Sequence, residues 1–127
     1  MELTRTPKLA PYLVAHDVVG LLRFIEEGVG GSVSFRGAEP DGRLSHVEVR
    51  IADGLVMIGE SPPGRFPFPA MLHLYVDDAD AAYGRALRAG ATSIRPPGDA
   101  PDGDRRGGVR DRWGNEWWFT RPPPPVR

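Results

Sequence analysis

The chain of 127 residues holds three histidines, His16, His46 and His73, and no cysteine. Imidazole exchanges protons near neutral pH and ligates metals, so these three positions are the first candidates for acid–base or metal chemistry. The lack of thiols excludes disulfides, thiolate catalysis and Cys-based zinc or iron–sulfur sites. His16 falls at a strand–helix junction, where capping or solvent contact is the expected role. Ser32, Ser34 and Ser45 have no nucleophile-elbow context, which argues against Ser–His–acid catalysis. Gly28–Gly31 (GVGG) follows a helical pattern and does not open one, so it fails the context that a nucleotide fingerprint requires. Asp104-Arg105-Arg106 has the chemistry of an anion-binding corner, but a solvated loop is the expected reading.

The elements that must position these groups are mixed α and β. Lys8–Ala15 reads as a strand, and Asp17 as the N-cap of a helix over Val18–Glu27, with Gly28 and Gly30 as stop signals. Ser32–Arg36 is a short strand, and Glu39-Pro40-Asp41-Gly42 a turn. Leu44–Ile51 alternates cleanly, with Val47, Val49 and Ile51 on one side and His46, Glu48 and Arg50 on the other. A hairpin turn is expected at Asp53-Gly54, then a strand over Leu55–Glu60. Met71–Val76 puts Leu72, Leu74 and Val76 on one side and Met71, His73 and Tyr75 on the other. Asp78 is set to cap a helix to Ala89, ended by Gly90. Strands follow at Thr92–Arg95, Gly107–Arg110 and Glu116–Thr120, with a Pro/Gly loop over Pro96–Asp104 and a turn at Asp111–Asn115.

Composition bounds the rest. Lys and Arg total 16 against 17 Asp and Glu, a net charge of -1 that gives no reason to expect nucleic acid or an anionic membrane as partner. No apolar run reaches the ~20 residues of a membrane span, and MELTRTPKLA lacks a signal-peptide core, so a cytoplasmic protein is expected. The 16 Gly and 14 Pro sit between patterned segments, save for the tail RPPPPVR, which reads as an extended polyproline end.

The pattern occurs twice. At a shift of roughly 60 residues, Asp17 falls on Asp77, Gly30 on Gly90 and Gly54 on Gly114. Two strand–helix–strand–strand–strand copies result, joined by SPPGRFPFP. Each is too small to bury a core alone.

A tandem βαβββ chain of this length resembles the vicinal oxygen chelate superfamily, which includes glyoxalase I, bleomycin- and fosfomycin-resistance proteins and extradiol dioxygenases. Three stretches carry the likeness: GRLSHVEVRIADGLVMIGE (42–60), HLYVDDADAAYGRALRAGA (73–91) and GDRRGGVRDRWGNEWWFT (103–120), the last similar to the family's closing D-x-x-G hairpin. The implied fold is α+β: two βαβββ modules, 8–60 and 70–120, joined by linker 61–69 in one domain over 8–121, with a Pro-rich tail at 122–127. Their curved mixed sheets are expected to surround a cavity, with helices on the convex side. Tyr12, Val14, His46, Glu48, Arg50, Ile58, Glu60, Met71, His73, Tyr75, Glu116, Trp118 and Thr120 are then expected to face the cavity, where the Trp118 ring can stack on a flat ligand.

In the family's catalytic members a divalent metal acts as a Lewis acid on two vicinal oxygens. The positions that the resemblance implies for its ligands fall near Ala10, Ile58, Met71 and Trp118, none a typical ligand of a hard or borderline cation. A metal-free protein without cofactor is therefore expected. It would bind a planar or aromatic compound through Tyr12, His46, Glu60, His73, Tyr75, Glu116 and Trp118. The alternative is a metal-dependent lyase, isomerase or dioxygenase with a displaced site among His46, Glu60, His73 and Glu116, with Glu60 or Glu116 as ligand or general base. A third reading is a structural or regulatory subunit with a vestigial cavity. The resemblance further implies a homodimer.

Overall fold

The computed structural model describes residues 9–62, 64 and 66–124. Lys8 of the expected first module, Pro63 and Arg65 of the linker and residues 125–127 of the tail lie outside them. The chain divides into two compact units, one up to Pro69 and one from Ala70.

In the first unit, β1 (Tyr12–Ala15) leads into α1 (Val18–Phe24), a π-helical turn (Ile25–Val29), and strands β2 (Ser32–Ala38), β3 (Leu44–Ile51) and β4 (Gly54–Glu60). The second unit holds β5 (Met71–Tyr75), α2 (Ala79–Arg88), β6 (Thr92–Asp99), β7 (Arg105–Arg110) and β8 (Glu116–Arg121). Each sheet is mixed and has the same order, β1-β4-β3-β2 and β5-β8-β7-β6. The parallel pair spans 45 residues in both, Tyr12 with Met57 and Met71 with Glu116.

Each sheet buries one face under its helix. Leu13, Ala15, Val47, Val49 and Ile58 pack with Val18, Leu21, Leu22 and Ile25 in the first unit; Val109, Trp117 and Phe119 do so with Ala79 and Ala86 in the second. Alternation in β3 and β8 dictates this, because a period of two assigns every second side chain to the core. Both helices start where a carboxylate takes an orphan amide: Asp17 Oδ1 accepts from Gly20 N (3.2 Å), and Asp78 Oδ1 from Ala81 N (3.0 Å). The cap equivalent to Asp17 is thus Asp78, one residue past the Asp77 of the simple shift.

Other expectations change as well. The β3–β4 turn is Ala52-Asp53, with Ala52 at φ 53, and Gly54 opens β4 opposite Ile51. Gly114, by contrast, lies in the β7–β8 turn at φ 88, so Gly54 and Gly114 are not structural equivalents. The helical pattern that runs to Glu27 ends its α-helical part at Phe24 and continues as the π turn. The expected loop at Pro96–Asp104 is strand up to Asp99. Its prolines are tolerated because β6 is an edge strand with register breaks on either side of Arg95.

The most consequential change is in β4. Val47 pairs with Ile58, so Ile58 lies on the core side and is fully buried. Cross-strand partners share a face, and this places Ile58 with the odd-numbered residues of β3. Met57 and Gly59 hold the opposite face, where Ile58 and Glu60 had been expected.

Candidate functional site

The face turned away from the helix carries the expected site residues in each unit, except Glu60. On the first sheet, the strand registers align Tyr12, Met57, Glu48 and Phe35 in one row across the strands. Beside it, Val14 pairs with Gly59 and His46 with Gly37. The Tyr12 ring lies across Gly59: a Cβ there would sit 2.5 Å from the Tyr12 hydroxyl. That hydroxyl donates to the Ser45 carbonyl (3.0 Å). The His46 ring stands between Tyr12 and Phe35, with centroids 5.9 Å from each. His46 Nε2 donates to Glu48 Oε2 (3.0 Å), which fixes the imidazole. A hollow of about 250 Å³ is lined by Tyr12, Val14, Ser45, Glu60, Phe66 and Phe68, among others.

Glu60 reaches this hollow from the end of β4, although it pairs with Ala15 and so belongs to the core-side row. It is half-exposed because the strand ends there. The structure therefore brings Tyr12 and His46 together, and Glu60 joins Tyr12 only at the rim of the hollow, from the core-side row.

On the second sheet, the rows are Met71-Glu116-Arg110-Thr92, His73-Trp118-Gly108-Arg95 and Tyr75-Thr120-Arg106-Gly98. His73, Tyr75, Glu116 and Trp118 thus share one face. The Trp118 ring crosses onto Gly108, where a Cβ would lie 2.6 Å from Cδ2 and Cε3. Its indole Nε1 donates to Glu116 Oε1 (3.0 Å), and Arg110 Nη2 donates to Glu116 Oε2 (3.1 Å). These donors, the indole first, hold the Glu116 carboxyl below its ordinary pKa. His73 Nε2 and Thr120 Oγ1 share a hydrogen bond of 2.6 Å, and the His73 and Tyr75 ring centroids are 5.1 Å apart.

Sequence reasoning missed Gly108, Arg95 and Phe35. Gly108 had a readable signal: the hairpin turn at Asp111–Asn115 puts it opposite Trp118, and only glycine accepts an indole there. Arg95 and Phe35 had none, because both follow register breaks in edge strands.

The Asp104-Arg105-Arg106 corner is closed by the unit's own acids. Arg105 grips both oxygens of Asp80 (2.6 and 3.0 Å) and one of Asp99 (3.1 Å). This raises the guanidinium pKa and lowers that of Asp80. Arg106 sits 3.6 Å from Asp102 and from Asp104.

A divalent metal does not fit the donors present. Among the described residues no three His, Asp or Glu side chains gather as a metal site requires. Glu116 has both oxygens engaged, His73 Nε2 is held by Thr120, and Glu60 belongs to the opposite row from Tyr12 and His46.

Two mixed βαβββ sheets, each with one face free of its helix and furnished with rings, define a known class of fold. The model of the Glyoxalase/Bleomycin resistance protein/Dioxygenase superfamily matches residues 12–119, and the chain belongs to that family. An uncharacterized protein of Mycobacterium bovis is 34% identical over 133 residues, spanning 96% of this chain and 88% of its own. One from Mycobacterium tuberculosis H37Rv is also 34% identical, over 96% and 78%. Among solved structures, TioX from Micromonospora sp. ML1 superposes with a TM-score of 0.77 at 25% identity, over 91% of this chain and 98% of that one. A glyoxalase-related enzyme from Fulvimarina pelagi gives 0.70 at 19% identity, over 91% and 88%, a likeness of fold. Among the described residues no helix is long and apolar enough to cross a membrane.

Proposed function

We propose that this protein is a metal-free small-molecule-binding member of its family that takes up a planar or aromatic compound on the ring-bearing sheet faces. The observation that carries the reading is Trp118. Its indole is laid flat over Gly108 and tethered by Glu116, beside an exposed His73. A ring fixed in this way stacks on a flat ligand without losing rotamer freedom on binding, which favours affinity. The Tyr12–His46–Phe35 shelf supports the same reading on the first unit. The hollow of about 250 Å³ that Tyr12 lines with Phe66 and Phe68 is a little below the ~300–1,000 Å³ typical of ligand pockets.

The same reading takes the protein to be a cytoplasmic homodimer. Light scattering behind a sizing column is expected to give twice the chain mass of 13.9 kDa, and a mass of one chain overturns the dimer. Binding is tested by tryptophan fluorescence and thermal shift against a panel of aromatic compounds. Trp118→Ala and His73→Ala are expected to weaken the response. If both variants respond as the parent does, the assignment to this face is wrong.

A further inference from the structure

We propose that the ring-bearing face of the second unit is built for a flat anion, with the ligand's ring on Trp118 and its carboxylate on Arg95. The proposal rests on the small-molecule-binding reading above and adds the charge class of the ligand.

Three arginines lie on this face, and their surroundings differ. Arg110 is bound to Glu116, and Arg106 is flanked by Asp102 and Asp104. Arg95 is exposed and has no carboxylate within ion-pair distance among the described residues. It also shares a row with the platform. Arg95 pairs with Gly108, and the Trp118 ring covers Gly108. Adjacent strands run ~4.8 Å apart, so the indole lies about one strand spacing from the backbone of Arg95.

The one acid that the registers put on this face is Glu116, and both its oxygens are already used. An incoming ring therefore meets positive charge. A guanidinium fork takes a carboxylate through two parallel N–H···O bonds, a geometry that an amine or alcohol cannot use. Glu116 and Arg110 act here as positioning residues for the indole.

The test uses the whole protein and three probes of one shape: 2-naphthoate, 2-naphthylmethanol and 2-naphthylmethylammonium, titrated calorimetrically at pH 7.5 and low salt. Naphthoate is expected to bind at least about tenfold more tightly than the ammonium compound, the lower end for a charge-assisted bond at an exposed position. Arg95→Gln is expected to reduce that preference to threefold or less. Arg88→Gln, which removes a charge from α2, is expected to keep it. Equal affinity for all three probes, or a preference that survives Arg95→Gln, overturns the anion assignment and leaves the stacking site standing. Failure of all three probes to bind at millimolar concentration overturns both. Loss of all binding in Trp118→Ala, with far-UV circular dichroism intact, supports the stacking site.

Discussion

Gly108→Ala tests whether the indole platform is held as described. A methyl group at this position would lie 2.6 Å from Cδ2 and Cε3 of Trp118 and 2.7 Å from Cζ3. Carbon atoms in ordinary contact sit ~3.5–4.0 Å apart, so the ring must move by about 1 Å or more. It is not free to do so, because Nε1 is bonded to Glu116, which Arg110 holds from its other oxygen. Overpacking of this kind costs about 1–3 kcal/mol. The Gly→Ala change recovers about 0.4–1 kcal/mol by restricting the unfolded chain. The net loss is then about 1–2 kcal/mol, or a fall in Tm of about 4–8 °C for a domain of this size. Differential scanning calorimetry measures it, and the tryptophan emission spectrum reports the displaced ring. Gly98→Ala is the matched control: it lies on the same sheet, and nothing is within 4 Å of its added Cβ. An unchanged Tm and emission in Gly108→Ala would refute the close packing of ring on backbone.

Other consequences follow from the same coordinates. Asp111 is buried and accepts from Trp113 N, Asn115 N, Asn115 Nδ2 and Trp117 Nε1, at 2.9–3.0 Å. Asp111→Ala leaves buried donors unpaired at about 1–3 kcal/mol each, so a loss of about 3–5 kcal/mol is expected, read as a lower urea midpoint at constant m. Ala52 holds a left-handed φ of 53 in the β3–β4 turn, and Ala52→Gly is expected to stabilise the protein by about 0.5–1 kcal/mol in the same assay. The Glu116 carboxyl has its pKa lowered from an ordinary 4.5 in the folded state, so its contribution is present above pH 4.5 and lost as pH falls through the folded value. Denaturation midpoints measured from pH 6 down to pH 3 are expected to fall less steeply in Glu116→Gln than in the parent; parallel curves would contradict this.

The parts of the fold that were legible in the sequence are those where pattern and packing agree. Leu44–Ile51 and Glu116–Thr120 alternate between core and open face, and the structure keeps both assignments because one side of each strand is fully buried. The failures came where alternation gives no information. In β4, Leu55, Val56 and Ile58 are all buried, so hydrophobicity alone does not say which belongs to which face. The pairing does, since a two-residue turn fixes which β4 residues sit opposite Val47 and Val49. The second half of β6 reads as loop because Pro96-Pro97-Gly98 is a breaker run, yet an edge strand with a bulge accommodates it. Of the candidate site residues, six lie on the faces expected of them, and Glu60 is displaced by one position in register. What the sequence could not disclose was the use made of glycine. Gly59 and Gly108 look like spacers, but each is the floor beneath a ring from the neighbouring strand.

The central claim is that a flat compound lies against Trp118, and an amide–indole NMR correlation spectrum tests it most directly. The three tryptophans give separate indole resonances, assigned by single Trp→Phe substitutions. Titration with 2-naphthoate is expected to shift the Trp118 Nε1–H signal strongly. The fully buried Trp117, whose indole is bound to Asp111, is expected to stay in place. A Trp118 signal that does not move at millimolar naphthoate, or a shift confined to Trp113, would contradict the account.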